Sequence, residues 1–549
     1  MIWIISGIML GTIIVALVLS PKKQLNANQW DISSKTYHIS LIILFILFAF
    51  VLFFKVTEIP VPYNVDETAS AYDALSLVKY HCDRFLYRFP VYFVNFGGGQ
   101  NALYTYLISV FILIFGLNVL IVRLPAILLS LLSAYVFART VRKEYGNTAS
   151  VISVFFFCIL PFSIMHSRWG LESYLLFPMI IFSISALFQA VRSGKFKWYV
   201  LTGCLFGLSF YSYSMSYLLI PLFLGINLIY LVFIKKTSWK NLIALVLPVS
   251  IAAIPLILFL AVNNGLIDEI RTHYFSVPKL PVYRGNEINF QNVITNLKPG
   301  PYNIFYSMFV NDRCTYNIVP KFGSLYYFSV PFLCYGFVLC VCRCVQSIKS
   351  RQYSFDLTVT SLFFIAFTFS LFLEGVNANR GCVLYIAFIY FLVIGFYEIL
   401  KKSKLYSVIS GGVYLVLFIM FISFYFKEFP AYLDENTMFG SIDDLKESLI
   451  FADTVNRYDE TIYVLDRGQP YIYTLLALDI DPFTFNKNLT MSNDNYVKIF
   501  GKYRFRLDAI MPECVYICRD LNRLPEGIDS FGFDKKQFGS AVVYYPPAD

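Results

Sequence analysis

Two adjacent carboxylates, Asp66 and Glu67, stand in the sequence Val-Pro-Tyr-Asn-Val-Asp-Glu-Thr-Ala, directly after an apolar run. Paired acids at a membrane surface repel each other and are costly to desolvate, so they need either full solvation or a function. The pair therefore indicates either a functional site or an ordinary solvated loop start, and both interpretations stay open at this point.

Four basic residues and a further acid stand in other segments at the ends of apolar runs. They are Arg123, in Val-Arg-Leu-Pro-Ala; His166, Arg168 and Glu172, in His-Ser-Arg-Trp-Gly-Leu-Glu; and Arg380, in Asn-Arg-Gly. Guanidinium groups are suited to bind a phosphate through two parallel hydrogen bonds. The structural alternatives are arginines that snorkel to lipid phosphates, a plain interfacial histidine, and a helical pair of Arg168 with Glu172.

The composition assigns these residues to a membrane protein. Of the 549 residues, 58% are hydrophobic and only 14% are charged, which excludes a water-soluble globular protein. Residues 427–549 hold 13 Lys and Arg against 20 Asp and Glu, whereas residues 1–426 hold 31 against 15. The basic excess lies in short loops, which indicates topology and anionic lipid as its cause, and not nucleic acid.

Twelve apolar runs have the length that a bilayer core of about 30 Å requires. They lie near residues 2–20, 39–56, 119–138, 147–165, 174–191, 198–215, 217–234, 241–262, 325–345, 356–373, 381–400 and 405–425. The first run has no basic start and precedes Lys22 and Lys23, so we expect a span with its amino end outside rather than a cleaved signal peptide. The sequence thus predicts a mainly α-helical, polytopic protein of the cell membrane with about twelve spans.

Basic residues recur in every second connecting loop, which by the positive-inside rule places those loops in the cytoplasm. Six loops follow this pattern, at residues 22–35, 139–143, 192–197, 235–240, 343–351 and 401–404. The assignment holds only if the stretch Tyr104–Phe115 does not cross, so we expect it to be a helix in the outer interface. All candidate residues then share the extracytoplasmic face with two long outward loops, at about residues 57–118 and 263–324.

From about residue 427 the composition becomes that of a small soluble domain. Its apolar pattern predicts a helix at Ser441–Ala452, a strand at Thr461–Leu465, a helix from Tyr471, and strands at Cys514–Cys518 and Ala541–Tyr545. The predicted organisation is therefore a transmembrane domain at residues 1–426 and an extracytoplasmic α/β domain at residues 427–549.

The order of these motifs resembles the GT-C superfamily of glycosyltransferases that use polyprenyl-phosphate sugars, in the branch of protein O-mannosyltransferases and bacterial lipid A aminoarabinose transferases. The resemblance covers residues 39–200 well and the remaining spans loosely. Its parts are the Asp66-Glu67 pair, the run Gly97-Gly-Gly-Gln-Asn-Ala-Leu-Tyr-Thr-Tyr, Val122-Arg123-Leu-Pro-Ala, the basic turn Arg139–Gly146, and Ser167-Arg168 with an acid four residues on. That acid is Glu172, where many relatives have Asp.

The resemblance implies a GT-C-like bundle that transfers a sugar, with inversion, from a polyprenyl-phosphate donor to an extracytoplasmic glycan, lipid or protein. It implies Asp66 as the general base, Glu67 as a residue that orients the site or binds acceptor, and Glu172 as a residue that positions the acceptor. Some relatives use a divalent metal ion, for which Asp66 and Glu172 are the expected ligands. The residues expected to meet the leaving lipid phosphate are Arg123, Arg380, Arg168 and His166.

Two other classes of membrane protein fit the same span count. A lipid-linked oligosaccharide polymerase or ligase would also carry outward arginines, but it has no need of Asp66 and Glu67 after an early span. A transporter would show inverted repeats, broken Gly- and Pro-rich helices and charges near mid-membrane, and none of those signals is clear in the sequence. The transferase is therefore the favoured function.

Cysteine labelling of intact cells tests the predicted topology. A cysteine placed beside Glu67 is expected to react with a membrane-impermeant maleimide, whereas a cysteine at Lys236 is expected to react only after the membrane is opened. Protection beside Glu67, combined with labelling at position 236 in intact cells, contradicts the layout.

Overall fold

The computed structural model describes residues 31–61, 63–283, 299–310, 316–373, 376–436, 442–456, 461–466, 468–491, 497–507, 509–519 and 528–547. The chain divides into two compact units. The first unit comprises residues 1–54, 126–254 and 285–427, and the second comprises residues 55–125, 255–284 and 428–549. Two long helices, Val119–Tyr145 and Trp239–Asn263, each contain a boundary between these units.

The first unit is a bundle of apolar helices. Those that lie wholly in it are Ser34–Phe53, Asn147–Ile159, Pro161–Ser167, Glu172–Ser193, Phe196–Ser209, Ser216–Phe233, Pro299–Phe309, Tyr327–Ser329 (a 3-10 turn), Val330–Lys349, Phe355–Phe372, Cys382–Lys402 and Lys404–Lys427. The helices Glu172–Ser193 and Cys382–Lys402 are 89% buried along their most apolar stretch, so they form the centre of the bundle. The helix Ser34–Phe53 is only 22% buried and lies at its edge.

Nine helices in the described part of the chain are long and apolar enough to cross a membrane, and a bent pair gives a tenth. They confirm the predicted mainly helical, polytopic fold. The predicted first span, residues 2–20, lies outside the described residues. The pair Asn147–Ile159 and Pro161–Ser167 bends by 59° where Pro161 interrupts the apolar run, because proline has no N–H to continue a helix.

The predicted span at residues 198–215 differs from the observed helix, Phe196–Ser209, which has 14 residues. At a rise of 1.5 Å per residue its length is about 21 Å, short of the hydrocarbon core. The chain leaves the helix at a serine-rich stretch, where Ser212 donates to the carbonyl of Ser209 and Ser216 donates to that of Phe210. Such local side-chain bonds compete with helix continuation.

Two glycines set the closest approach of helices in the bundle centre. A Cβ atom on Gly336 would lie 1.8 Å from the carbonyl oxygen of Phe391, and one on Gly395 would lie 1.9 Å from that of Phe332. The two positions belong to the helices Val330–Lys349 and Cys382–Lys402 and face each other reciprocally. Small residues allow this backbone approach, which is a common basis of helix packing in membranes.

Buried polar side chains pair near the ends of several helices of the first unit. Asp356 accepts hydrogen bonds from the hydroxyls of Tyr145 and Tyr390, the latter at 2.9 Å. Arg343 donates to the hydroxyl of Tyr145 at 3.0 Å and to Glu398 at 2.7 Å. These charges are therefore compensated within the protein, as charges close to a bilayer must be.

The second unit combines helices with three sheets. Its helices are Val65–Tyr80, Ala102–Phe115, Phe429–Asn436, Ile442–Val455, Pro470–Ala477, Pro482–Lys487 and the 3-10 turn Ile528–Phe531. The strands Tyr92–Asn95 and Gly98–Asn101 form one antiparallel hairpin, and Ile270–Arg271 and Ser276–Val277 form another. The helix Ala102–Phe115, predicted as non-spanning, has 14 residues, or about 21 Å.

The third sheet has seven strands and belongs to the carboxyl-terminal segment. Their spatial order is Asp534–Phe538, Ala541–Tyr545, Val515–Cys518, Ile462–Leu465, Tyr503–Arg504, Val497–Phe500, Leu489–Met491. The strand Ile462–Leu465 pairs in parallel with both of its neighbours, and the other pairs are antiparallel. The helices and strands predicted for this segment are present, so the mixed α/β prediction is confirmed.

Enlarging Gly336 tests the helix packing. Gly336→Leu is expected to destabilise the protein by at least about 1–3 kcal/mol, because the new side chain meets backbone that cannot move without separating two central helices. The readout is the apparent melting temperature and the size-exclusion profile in detergent. The matched control is Gly411→Leu, since no atom lies within 4 Å of a Cβ there; equal melting of both variants contradicts the packing account.

Candidate functional site

The helix Val65–Tyr80, here called the carboxylate helix, begins with a capping box. The side chain of Asn64 accepts from the backbone N–H of Glu67 at 2.8 Å, and the side chain of Glu67 accepts from the backbone N–H of Asn64 at 3.2 Å. Asp66 and Glu67 lie in the first turn, where negative charge is favoured by the helix dipole. The sequence Asn-Val-Asp-Glu thus fixes where this helix starts.

Glu67 is fully buried and forms a two-point ion pair with Arg123, which is also fully buried. Arg123 Nε and Nη2 donate to the two carboxylate oxygens, both at 2.8 Å. The same guanidinium donates from Nη1 to the carbonyl of Val56 at 2.6 Å and from Nη2 to that of Val61 at 2.7 Å. Arg123 therefore ties the carboxylate helix to the loop that precedes it.

Asp66 is half-buried, unlike its neighbour Glu67. The helix Pro470–Ala477 packs against the carboxylate helix in the second unit. Burial raises the pKa of Tyr473 on that helix above its usual value, and the negative charges of Asp466 and Asp66 raise it further. Asp66 is thus close enough to Tyr473 for its negative charge to affect the pKa of the tyrosine hydroxyl.

Asp466 and Arg519 form a mostly buried ion pair, at 3.2 Å, beside Tyr473. The guanidinium of Arg519 lies 5.3 Å from the centre of the Tyr473 ring. The sequence analysis assigned no role to these residues. The sequence did contain a pattern that could have identified them, because Asp466 and Arg519 each directly follow a predicted strand. The carboxyl ends of adjacent parallel strands meet at one edge of a sheet, which brings such residues together.

A second buried ion pair, Asp73 with Arg84, was also missed. Arg84 donates from Nη2 to Asp73 at 2.7 Å and to Asn95 at 3.2 Å, and from Nη1 to the hydroxyl of Tyr471 at 3.2 Å. Burial, with the nearby charge of Asp73, raises the pKa of Asp83 to about 8, although the N–H groups of Tyr87 and Phe85 favour its charged form. This network links the loops of the second unit to its carboxyl-terminal segment.

In the first unit, Arg168 caps the carboxyl end of the helix Ser34–Phe53. It is fully buried, and its Nη1 donates to the carbonyls of Val51 at 2.6 Å and Leu52 at 2.9 Å. Its Nη2 donates to the carbonyl of Phe54 at 2.8 Å. A cation at this position satisfies the unpaired carbonyls at a helix end and complements its dipole.

His166 and Glu172 lie on either side of the turn that contains Arg168. His166 is buried with its ring 4.4 Å from that of Phe162 and 5.7 Å from that of Tyr174, and its Nδ1 is 3.1 Å from the carbonyl of Phe162. Glu172 is half-buried and is the first residue of the next helix. Arg168 and Glu172 do not lie in one helix, because one helix ends at Ser167 and another begins at Glu172, so the alternative of an i,i+4 helical pair does not apply.

Arg380 is partly exposed and lies in a turn beside this region of the first unit. The amide of the preceding Asn379 donates to the hydroxyl of Tyr316 at 3.3 Å, and the Tyr316 ring lies 6.0 Å from that of Trp169. The thiol of Cys382 lies 3.4 Å from the carbonyl of Ser173. The turn that carries Arg380 and the turn between His166 and Glu172 are therefore neighbours.

The seven predicted residues thus form two groups, one in each unit. Asp66, Glu67 and Arg123 belong to the second unit, and the first unit holds His166, Arg168, Glu172 and Arg380. Within the described residues, no three or more His, Cys, Asp or Glu side chains gather as metal ligands. The assignment of a divalent metal to Asp66 and Glu172 stays a prediction.

Comparison with known proteins shows which family and which fold this chain resembles. Residues 101–262 match the family described as dolichyl-phosphate-mannose-protein mannosyltransferase. ArnT from Cupriavidus metallidurans in the apo state superposes with a TM-score of 0.53 at 11% identity, over 93% of this chain and 100% of that one. The same protein bound to undecaprenyl phosphate gives 0.51, over 92% and 99%. These superpositions show that the chain has the fold of ArnT.

Two candidate mannosyltransferases of Bacillus subtilis (strain 168) are similar in sequence. YycA is 30% identical over 142 residues, and YkcB is 29% identical over 154 residues. The matched segments cover 25% and 28% of this chain and 21% of each relative. The chain therefore spans about a fifth of the length of these relatives in the matched segments, and its match to the family lies in its amino-terminal half.

Removing one partner of the Glu67–Arg123 pair tests its structural role. Arg123→Met is expected to lower the free energy of unfolding by about 3–5 kcal/mol, because the buried charge of Glu67 loses its counter-ion. The double variant Glu67→Gln with Arg123→Met is expected to recover part of this loss.

The measurement is thermal unfolding of the purified protein in detergent. Arg351→Met, at an exposed position, serves as the control for loss of an arginine. An Arg123→Met variant that melts with the wild type contradicts a structural role for the pair.

Proposed function

We propose that this chain is a glycosyltransferase that moves a sugar from a polyprenyl-phosphate donor to an extracytoplasmic glycan, lipid or protein, with inversion at the anomeric carbon. The match of residues 101–262 to a mannosyltransferase family and the fold shared with ArnT support the reaction class. The description of the matching family, which names a dolichyl-phosphate sugar, supports the donor class. So does the undecaprenyl phosphate bound by the structurally similar ArnT.

The observation that carries the proposal is the difference between the two adjacent acids. Both oxygens of Glu67 accept hydrogen bonds from Arg123, and its side chain is fully buried. Asp66 occupies the same helical turn but is half-buried, so a substrate can approach its side chain. We therefore assign the general base to Asp66 and a positioning role to Glu67 and Arg123.

In the proposed step, the acceptor oxygen attacks the anomeric carbon from the face opposite the phosphate. The new bond from carbon to the acceptor oxygen forms while the bond from carbon to the phosphate oxygen breaks. The acceptor proton passes to Asp66, and polyprenyl phosphate leaves with the bonding electron pair. Because the phosphate leaves already ionised, the reaction needs a base and nearby cations but no strong acid.

Arg380 is the cation that we assign to the leaving phosphate. A guanidinium stabilises the negative charge that develops on the departing oxygen. Arg380 is partly exposed, so a ligand can reach it, whereas Arg168 is fully buried against three backbone carbonyls. Glu172, half-buried at the start of the helix on the neighbouring turn, is assigned to positioning of the acceptor.

Replacing Asp66 tests the proposed base. Asp66→Asn keeps the size of the side chain and removes its basicity, so the transfer rate is expected to fall by about 10²–10⁴-fold without a change in melting temperature. The assay follows release of free polyprenyl phosphate in proteoliposomes that contain polyprenyl-phosphate-linked mannose, glucose, galactose or aminoarabinose, with cell-envelope extract as acceptor. Asp534→Asn, on an exposed strand, is the matched control and is expected to retain full activity.

Two outcomes contradict parts of the proposal separately. Full activity of Asp66→Asn excludes this residue as the base but leaves the reaction class intact. If the folded wild-type protein releases polyprenyl phosphate from none of these donors, the proposed donor class is wrong.

A further inference from the structure

A cavity of about 280 Å³ lies within the second unit, and its lining includes none of the seven predicted site residues. All three chain segments of that unit contribute to its wall. The first segment supplies Phe96, the second supplies Arg271 and Lys279, and the third supplies Tyr471 and Asn486. Ligand pockets commonly form where separate parts of a fold meet, with apolar walls and a few polar groups.

Phe96 enters this wall from an unusual backbone position. It forms the two-residue turn of the hairpin with Gly97, and both residues have positive φ angles, 49° and 79°. Such turns favour asparagine or glycine, and a bulky residue in the left-handed region is strained. The Phe96 ring is held between the guanidinium of Arg84, at 5.8 Å, and the ring of Tyr471, at 6.2 Å. An aromatic face is thus held at the cavity despite its backbone cost.

The charged part of the wall carries a net positive charge. Arg271 lies over the ring of Tyr87 at 4.0 Å and donates to Glu269 at 2.9 Å. Glu269 also accepts from the hydroxyl of Tyr87 at 3.0 Å, so this acid fixes the arginine in place. Lys279 adds an exposed second cation against that single acid. The wall is therefore suited to an anionic group.

Amide groups and a rigid floor complete the cavity. Gln469 precedes the helix Pro470–Ala477 but makes no side-chain capping bond to it. Asn486 donates to the backbone carbonyl of Arg84 at 2.6 Å, and Arg84 in turn donates to the hydroxyl of Tyr471. The buried pair of Arg84 with Asp73 thus holds cavity residues from beneath, which lowers the entropy lost when a ligand binds.

We propose that this cavity binds an anionic saccharide. The aromatic faces of Phe96 and Tyr471 suit the apolar face of a sugar ring, the amides suit its hydroxyls, and Arg271 with Lys279 suits a phosphate or carboxylate on it. A purely apolar ligand would make no ion pair with Arg271 and Lys279. A free inorganic anion would make no contact with the aromatic faces of Phe96 and Tyr471. The inference stands apart from the transfer reaction, because binding is measured without turnover.

Titration calorimetry of the full chain in lipid nanodiscs tests the proposal, with glucose 6-phosphate, glucose and inorganic phosphate as probes. Glucose 6-phosphate is expected to bind at least about tenfold more tightly than either fragment. Lys279→Gln is expected to weaken its binding about tenfold, since one charge-assisted contact is lost. Lys535→Gln, at an exposed strand position, is the control and is expected to bind as the wild type does.

A second variant, Phe96→Asn, keeps a residue that tolerates the left-handed turn and removes the aromatic ring. It is expected to weaken binding of glucose 6-phosphate about tenfold while leaving inorganic phosphate unaffected. Equal affinity for phosphate and glucose 6-phosphate, or for glucose and glucose 6-phosphate, overturns the proposal. So does a folded protein that binds none of the three, or a Lys279→Gln variant that binds as the wild type does.

Discussion

The ion pair of Glu67 with Arg123 is the interaction on which the predicted base site depends. Both charged side chains are removed completely from water, and this is favourable only if their hydrogen-bond donors and acceptors find partners within the protein. Each of the three guanidinium nitrogens of Arg123 has a hydrogen-bond partner, since together they bind both carboxylate oxygens and the carbonyls of Val56 and Val61. The start of the carboxylate helix cannot shift without breaking these contacts, so the pair also fixes the position of the adjacent residue, Asp66.

In both units a buried arginine donates hydrogen bonds to backbone carbonyls. Arg168 binds three backbone carbonyls, at residues 51, 52 and 54, within the first unit. Arg123 binds those at residues 56 and 61, within the second unit. The chain between the helix Ser34–Phe53 and the carboxylate helix is irregular, and irregular backbone near a bilayer needs partners for its polar groups. Guanidinium groups supply several donors in one plane, which explains why arginine occurs at these positions.

The sequence predicted elements well and side-chain partners poorly. Apolar run length located most spans, and alternation located the strands of the carboxyl-terminal segment, because both follow from local pattern. The span predicted at residues 198–215 was overestimated, since run length alone does not register the serine-to-backbone bonds at Ser212. The partners of buried side chains do not follow from local pattern. Glu67 and Arg123 are 56 positions apart, and only tertiary packing brings them together. The capping box of Asn64 with Glu67 was visible in the sequence as Asn-x-x-Glu and already indicated a structural use for this acid.

The carboxyl-terminal segment is an integral part of the second unit and not an independent addition to it. Its Tyr471 accepts a hydrogen bond from Arg84 in the loop after the carboxylate helix, and its Ile480 carbonyl accepts from Tyr72 on that helix at 2.6 Å. Arg84 is fully buried, so without the segment its guanidinium would lose a hydrogen-bond partner and part of its cover from water. The carboxylate helix, which contains Asp73, and the loop at Arg84 therefore depend on residues some 400 positions later. For this reason the composition change near residue 427 does not separate the carboxyl-terminal sheet from the other segments of the second unit.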